Sequence, residues 1–167
     1  MKASVIGWIV TTLIAITGGV VLPLYFNLRR ERVVLEIRTV SVRLLTQPAA
    51  ASDLKVQYFY KDTIPVQNLW QVRYIIRNIG DETIAGIDDG RELSYKNLPF
   101  AIESADGICS VEITQSDNGA VLDGNLICFK QWRSGEFVEV TVLAEGSEAP
   151  QLTISDRDIK DSEIVYR

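Results

Sequence analysis

The chain of 167 residues is 47% hydrophobic and 23% charged, a composition typical of one folded domain with a short additional segment and not of a disordered tail. It contains no histidine and only two cysteines, which excludes histidine-dependent nucleophiles, histidine-containing metal sites and a four-cysteine zinc site. The formal net charge of −5 disfavours binding to the phosphate backbone of nucleic acid. We therefore expect no enzyme activity, no cofactor, no metal site and no DNA binding.

Residues 1–28 are predicted to form a transmembrane helix. Between Ala3 and Leu28 no side chain is charged. At 1.5 Å per residue, the apolar core of residues 5–26 spans about 33 Å, which is enough to cross a hydrocarbon layer of about 30 Å. A cleaved signal peptide is the alternative, but its apolar region is only about 7–15 residues long and ends at a small-residue cleavage site, and no Ala-x-Ala follows directly here. We therefore predict an uncleaved membrane anchor.

Residues 29–32 form a basic juxtamembrane segment. Arg29, Arg30 and Arg32 follow the apolar run, whereas Lys2 is the only basic side chain before it. Because an excess of Lys and Arg marks the cytoplasmic side of a membrane helix, we predict an inner-membrane protein whose domain lies in the cytosol. The same three arginines are expected to bind anionic lipid headgroups, at about 1 kcal/mol each.

Small residues recur every four positions in the predicted helix, at Gly7, Thr11, Ala15 and Gly19. A stripe of small residues lets two membrane helices approach closely, and this pattern predicts self-association of the anchor. The alternative is that transmembrane helices are rich in small residues without any partner.

Residues 33–167 are predicted to form an all-β domain, an antiparallel Ig-like β-sandwich. After the anchor no segment keeps an apolar period of 3.6 residues, whereas alternation with period two recurs between turn signals such as Asp123-Gly124 and Ser134-Gly135. In the first strand the apolar positions change face near Arg38 or Thr39, which indicates a β-bulge. The predicted strands are 33–45, 54–60, 70–77, 93–96, 108–116, 126–132, 137–144, 152–154 and 164–166.

The end of the strand at 70–77 carries a pattern found in known proteins. Asn78-Ile79-Gly80 is followed by Thr83-Ile84 and Asp88. This stretch is similar to the Asn-x-Gly strand ends of Ig-like modules in bacterial surface and membrane proteins, and the chain resembles small single-pass bacterial membrane proteins of unassigned function that carry such a sandwich. The resemblance implies that the chain turns after the strand and that the next apolar residue returns to the core. It implies no activity.

The two cysteines form a candidate thiol pair. If Asn118-Gly119 is a two-residue hairpin turn, Cys109 lies directly opposite Cys128. In the cytosol we expect two small buried thiols, and the alternative is a structural or redox-labile disulfide.

Lys55, Gln57, Gln71, Arg73 and Arg77 are the candidate ligand-binding residues. The first two and the last three belong to successive predicted strands, and all five can share the polar face of two neighbouring strands. Such a face could bind a small anionic ligand, a lipid headgroup or an acidic protein. The alternative is an ordinary solvated sheet face.

These features predict a non-catalytic binding, sensor or adaptor module that is anchored in the lipid bilayer. Its expected partners are the bilayer, a second copy of the chain through the helix, and an unidentified protein or small anionic ligand. The alternative is an envelope protein whose β-sandwich lies outside the cytosol and serves a structural or assembly role.

Overall fold

Strands make up every regular element in the part of the chain that the structure describes. The structure, a computed structural model, describes residues 32–46, 57–61, 64–86, 95–155, 159 and 162–167, with the side chains of residues 108 and 109 left out. The strands are β1 (Val33–Leu44), β2 (Tyr58–Tyr60), β3 (Ile64–Val66), β4 (Leu69–Asn78), β5 (Ile84–Ala85), β6 (Lys96–Glu103), β7 (Gly107–Ser116), β8 (Val121–Asp123), β9 (Leu126–Phe129), β10 (Gln131–Trp132), β11 (Phe137–Glu145), β12 (Gln151–Ile154) and β13 (Ser162–Tyr166).

Two larger sheets organise these strands. One has five strands in the order β13-β1-β4-β11-β7, and the other has four in the order β12-β6-β9-β8. Two short pairs, β10 with β5 and β2 with β3, are added to them. The predicted all-β class is therefore confirmed for the described residues, and the predicted antiparallel pairing holds for all but one of their strand pairs. One pair departs from it, because β13 runs parallel to β1.

The hydrophobic core is built from the inward faces of both larger sheets. The alternation along β11 explains its share, since Val138, Val140, Val142 and Ala144 are all fully buried. They belong to one cluster with side chains of the other sheet. Burying a side chain of this size contributes about 1.5–3 kcal/mol, so the alternating pattern determines which face of each strand turns inward.

The bulge predicted in the first strand is confirmed. The pairing of β1 with β4 shifts between Thr39 and Ser41, within two residues of the predicted place. Before the shift, Leu35 and Ile37 are buried; after it, Val42 pairs with the buried Val72 and so lies on the same inner face. One inserted residue therefore keeps both apolar series of β1 on one side of the sheet.

Asn78 forms the corner that follows β4. The amide of Asn78 is fully buried and donates to the backbone oxygens of Glu82 (2.8 Å) and Trp132 (3.1 Å). Its side-chain oxygen accepts a hydrogen bond from the Gly80 N–H at 3.1 Å. Ile84, the next apolar residue, returns to the core.

Two strand predictions were wrong in their limits. The predicted strand at 126–132 is interrupted at Lys130, because β9 pairs within the four-stranded sheet while β10 pairs with β5. Around the predicted strand at 93–96, the described strand is β6, which starts at Lys96 and continues to Glu103. Its inward residues Leu98 and Phe100 are separated by Pro99, an unfavourable strand residue that hides the alternation.

The residues from Arg32 onward form one unit by their internal contacts. Within the described ranges, no helix has the length and apolar character needed to cross a bilayer. The predicted anchor, residues 1–28, lies outside those ranges, and with it the small-residue stripe. Arg29 and Arg30 also lie outside them, whereas Arg32 is described and its backbone N–H donates to the Asp81 carboxylate at 2.7 Å.

Candidate functional site

An apolar groove opens between the inner face of the five-stranded sheet and the edge of the four-stranded sheet. Its volume of about 570 Å³ lies within the usual range for ligand pockets. One wall consists of β1 and β4 residues, including Val42 and Val72; residues 149–153 form the opposite wall. Val42 is 48% exposed although it lies on the inner face, so the second sheet leaves this part of the face uncovered.

Two tyrosine hydroxyls form hydrogen bonds with the backbone of β12, the edge strand that borders the groove, and of Pro150 just before it. The Tyr74 hydroxyl donates to the carbonyl oxygen of Pro150, and the Tyr166 hydroxyl accepts a hydrogen bond from the Ile154 N–H at 3.3 Å. Burial raises the pKa of Tyr74, while a backbone hydrogen bond with Leu152 acts in the opposite direction. Tyr74 therefore keeps its proton at neutral pH and serves as a fixed donor.

The end of β13 closes one side of the groove. Arg167 donates its backbone N–H to the Ile37 oxygen at 2.9 Å and accepts from the Thr39 N–H at 3.0 Å. Its guanidinium lies 2.9 Å from the Glu36 carboxylate on the neighbouring strand. The charged group of Arg167 is therefore already paired.

Three of the predicted ligand-binding residues lie together, on the outer face of β4. Gln71, Arg73 and Arg77 alternate there, opposite the face that forms the core. Arg73 forms an ion pair with Glu139 of β11 at 2.8 Å, and Thr114 donates to the same carboxylate at 2.9 Å. Arg73, one of the two arginines on this face, is therefore already paired with a neighbouring carboxylate.

The Arg77 guanidinium lies over the ring of Phe137, 5.5 Å from its centroid. A contact of this kind holds the guanidinium along the sheet surface. The outer face of β4 is therefore a mixed polar surface whose cations already have partners, and it is less suited to bind an anion than the sequence predicts.

Gln57 is not on the same face as these residues, which corrects the prediction of two neighbouring strands. β2 pairs with β3, whereas the neighbours of β4 are β1 and β11. Gln57 instead lines a second cavity of about 520 Å³ that also includes Thr46 and Glu145. Two polar groups of this cavity bind backbone: Glu145 accepts from the Gln67 N–H and Thr46 from the Leu69 N–H. Lys55 lies outside the described residues.

The register predicted for the cysteines was wrong. β7, which contains Cys109, pairs with β11 of the five-stranded sheet, whereas Cys128 on β9 pairs with Val121 and Asn97 in the other sheet. The Asn118-Gly119 turn thus leads the chain from one sheet to the other and does not close a hairpin. A thiol pair remains an untested prediction, because the Cys109 side chain is outside the description. Cys128 itself is a free thiol that is 8% exposed.

We expect Cys128 to react slowly with thiol reagents. Burial, followed by the charge of Asp123, raises the pKa of this thiol above its ordinary value, and both effects lower the reactive thiolate fraction. In a Cys109→Ser variant at pH 8, the rate of reaction with a chromogenic disulfide should be at least tenfold lower for the folded than for the urea-unfolded protein. Equal rates in the two states would contradict the buried position.

The groove is the candidate site that sequence reasoning missed. Its walls come from β1, β4, residues 149–153 and the last two residues, which are far apart in sequence. The one available signal in the sequence is the apolar residue Val42 beyond the bulge. Among the described residues, no three His, Cys, Asp or Glu side chains come together in a way that could hold a metal ion.

Comparison with protein-family models, with curated proteins and with solved structures found no match to this chain.

Proposed function

We propose that the protein is a non-catalytic binding module that is tethered to the inner membrane by residues 1–28 and that its binding site is the apolar groove. The observation that carries this proposal is the groove itself, a part of the inner sheet face that no described residue covers and that has room for a ligand. Binding of a partner that covers an apolar surface of this kind is favoured by about 25 cal/mol for each Å² removed from water.

The polar groups around the groove favour binding over catalysis. The Tyr74 hydroxyl donates to the Pro150 oxygen, and the Arg167 guanidinium pairs with Glu36. A catalytic acid or base needs a group that is aimed at the substrate with a tuned pKa. The described lining residues offer apolar contact area and polar groups that are bonded to one another.

The domain that carries the groove is, in this proposal, an Ig-like β-sandwich. Two observations support this part of the proposal: the two sheets share one core, and Ile84 returns to the core after the Asn78 corner. The parallel pair of β13 with β1 departs from an all-antiparallel sandwich, and it positions the residues that close the groove.

Membrane tethering gives such a module a high effective concentration of membrane-bound partners. Arg29, Arg30 and Arg32 would hold the start of the domain at anionic headgroups. Association of the anchors through Gly7, Thr11, Ala15 and Gly19 would allow binding at the groove to be coupled to helix packing, as a sensor requires.

We expect a photocrosslinking residue at position 42 to capture a partner in cells. Val42 lines the groove and is 48% exposed, whereas Val121 on β8 is 52% exposed and is not among the groove residues, which makes it a matched control. With p-benzoylphenylalanine at position 42, irradiation should give a discrete adduct in the membrane fraction. The same residue at position 121 should give none.

Two results would contradict this proposal. Equal adduct yields at the two positions would show that the groove has no special affinity, and release of the chain from membranes by alkaline carbonate would contradict the tether. A reporter fused after Arg167 that is active only outside the cytosol would favour the extracytoplasmic alternative.

A further inference from the structure

The edge of β1 changes character halfway along the strand. From Val33 to Ile37 it pairs with β13, and the backbone of Thr39 still bonds to Arg167. From Val40 to Leu44, no strand in the described part of the chain pairs with β1 on the side opposite β4. This open edge is about 16 Å long and borders the groove, since Val42 belongs to both.

The hydrogen-bonding groups of the open edge belong to Val42 and Leu44. The Leu45 N–H bonds to the Leu69 oxygen, so residue 45 directs its backbone groups toward β4. Because successive residues of a strand direct these groups to opposite sides, Val42 and Leu44 direct theirs away from β4. An unpaired edge of this kind is a template for an additional strand.

The two faces beside the open edge differ in chemistry. On the inner face lie Val42 and the apolar groove. On the outer face, Arg43 lies within the open edge and Arg38 lies just before it. Both arginines are exposed, and the same face carries Arg73. No ion pair of Arg38 or Arg43 occurs within the described ranges. A strand added here would place alternate side chains in the groove and beside the arginines.

We propose that the open edge of β1 binds an extended segment of another protein in which apolar and acidic residues alternate. This inference rests on the proposed function and names the class of partner. The backbone of the segment pairs with Val42 and Leu44, its apolar side chains enter the groove, and its carboxylates face Arg38 and Arg43. Backbone pairing supplies affinity, and the two faces supply specificity.

A second copy of this chain is the less favoured occupant. If two open edges paired with each other, the outer face of the joined sheet would bring Arg38 and Arg43 of both copies together. Like charges on neighbouring strands are destabilising. An acidic segment replaces this repulsion by attraction.

The test uses the full chain in phosphatidylcholine nanodiscs and a fluorescein-labelled heptapeptide of alternating glutamate and valine. Fluorescence anisotropy should show saturable binding of this peptide, and a peptide of alternating lysine and valine should bind at least tenfold more weakly. In the Arg43→Glu variant this preference should be lost, with affinity for the glutamate peptide lowered by about tenfold. Arg133→Glu makes the same change of net charge at another exposed arginine and should leave the affinity unchanged.

A second variant, Val42→Pro, tests the backbone pairing. Proline removes an N–H that points to the open edge and interrupts no bond to β4, and edge strands tolerate it. Binding of the glutamate peptide should be lost while the thermal unfolding midpoint changes little. If Val42→Pro fails to fold, the loss of preference in Arg43→Glu still tests the inference.

The outcomes separate this inference from the proposed function. No binding of the glutamate peptide, or equal binding to the Arg43→Glu variant, overturns the inference. If the position-42 adduct forms nevertheless, the groove remains a binding site with another partner. If the mass added to the chain in the adduct is that of a polypeptide, the partner is a protein segment and the inference is supported; if the added mass is that of a lipid, the inference alone is overturned.

Discussion

Replacing Gly80 with alanine is expected to destabilise the domain by roughly 3 kcal/mol, at the upper end for an overpacked site. A Cβ atom at this position would lie 2.2 Å from the backbone oxygen of Arg32 and 2.6 Å from the backbone nitrogen of Val34. Both atoms belong to the main chain at the start of β1, so a side-chain rotation cannot relieve the contact. The corner after β4 must separate from β1, and the bonds of Ile79 and Gly80 to Val34 are weakened.

Gly107→Ala is the matched control for this variant. A Cβ atom added at Gly107 meets no atom within 4 Å, and the residue lies in a strand. Its substitution should change the free energy of unfolding by less than about 1 kcal/mol. Urea unfolding followed by tryptophan fluorescence measures both variants, since Trp132 lies in the core. Similar losses for Gly80→Ala and Gly107→Ala would contradict the close approach at the corner.

Asn78→Asp is expected to destabilise the domain by roughly 3–5 kcal/mol at pH 7, although the two side chains have nearly the same shape. The Asn78 amide nitrogen donates to two backbone oxygens, at Glu82 and Trp132. In aspartate an oxygen replaces that nitrogen, and a buried carboxylate would then face two carbonyl oxygens with one donor, the Gly80 N–H. Burial and repulsion both disfavour the charged form.

The destabilisation should depend on pH in a defined direction. In the folded variant the pKa of Asp at position 78 is raised above that of the unfolded chain, which is about 3.9. The decrease in the free energy of unfolding relative to wild type is therefore smallest below the pKa of the unfolded chain. It grows as the pH rises through the pKa of the folded variant. Urea midpoints of variant and wild type should diverge between pH 4 and pH 7.

Asn97→Asp provides the control, because Asn97 lies on β6 and is exposed. There the carboxylate stays hydrated, and the free energy of unfolding should change by less than about 0.5 kcal/mol at every pH in this range. A constant difference between Asn78→Asp and wild type across the range would show that the side chain is not buried among carbonyls.

The strands that sequence reasoning located correctly share one property, a period-two alternation that is long enough to define a face. β4 and β11 have such an alternation. β1 has it too when a bulge is included in the pattern. The limits of β6 were predicted wrongly because Pro99 interrupts its alternation. The break at Lys130 was missed because the apolar residues on its two sides have the pattern of a single strand. A local pattern therefore indicates which residues of a strand are buried, and it does not indicate which sheet the strand joins.

The contacts of the predicted site residues could not be predicted from the sequence, for a related reason. Arg73 and Arg77 were correctly placed on one polar face, but their pairing with Glu139 and Phe137 depends on β11, which is distant in sequence. Likewise, Cys109 and Cys128 were assigned to one hairpin from the Asn118-Gly119 turn, and only the assembled sheets show that this turn connects two of them.

The amino-acid sequence by itself determined the lack of histidine chemistry, the apolar first segment, the all-β class and the inward face of the long strands. Each of these depends on composition or on neighbours within a few residues. The tertiary structure alone decided the sheet order, the parallel β13 and the groove beside the open edge of β1. These depend on contacts between Ile37, Thr39 and Arg167 and between Tyr74 and Pro150, residues that are far apart in the chain. Such long-range contacts form only when the whole core is buried together, so no local pattern records them.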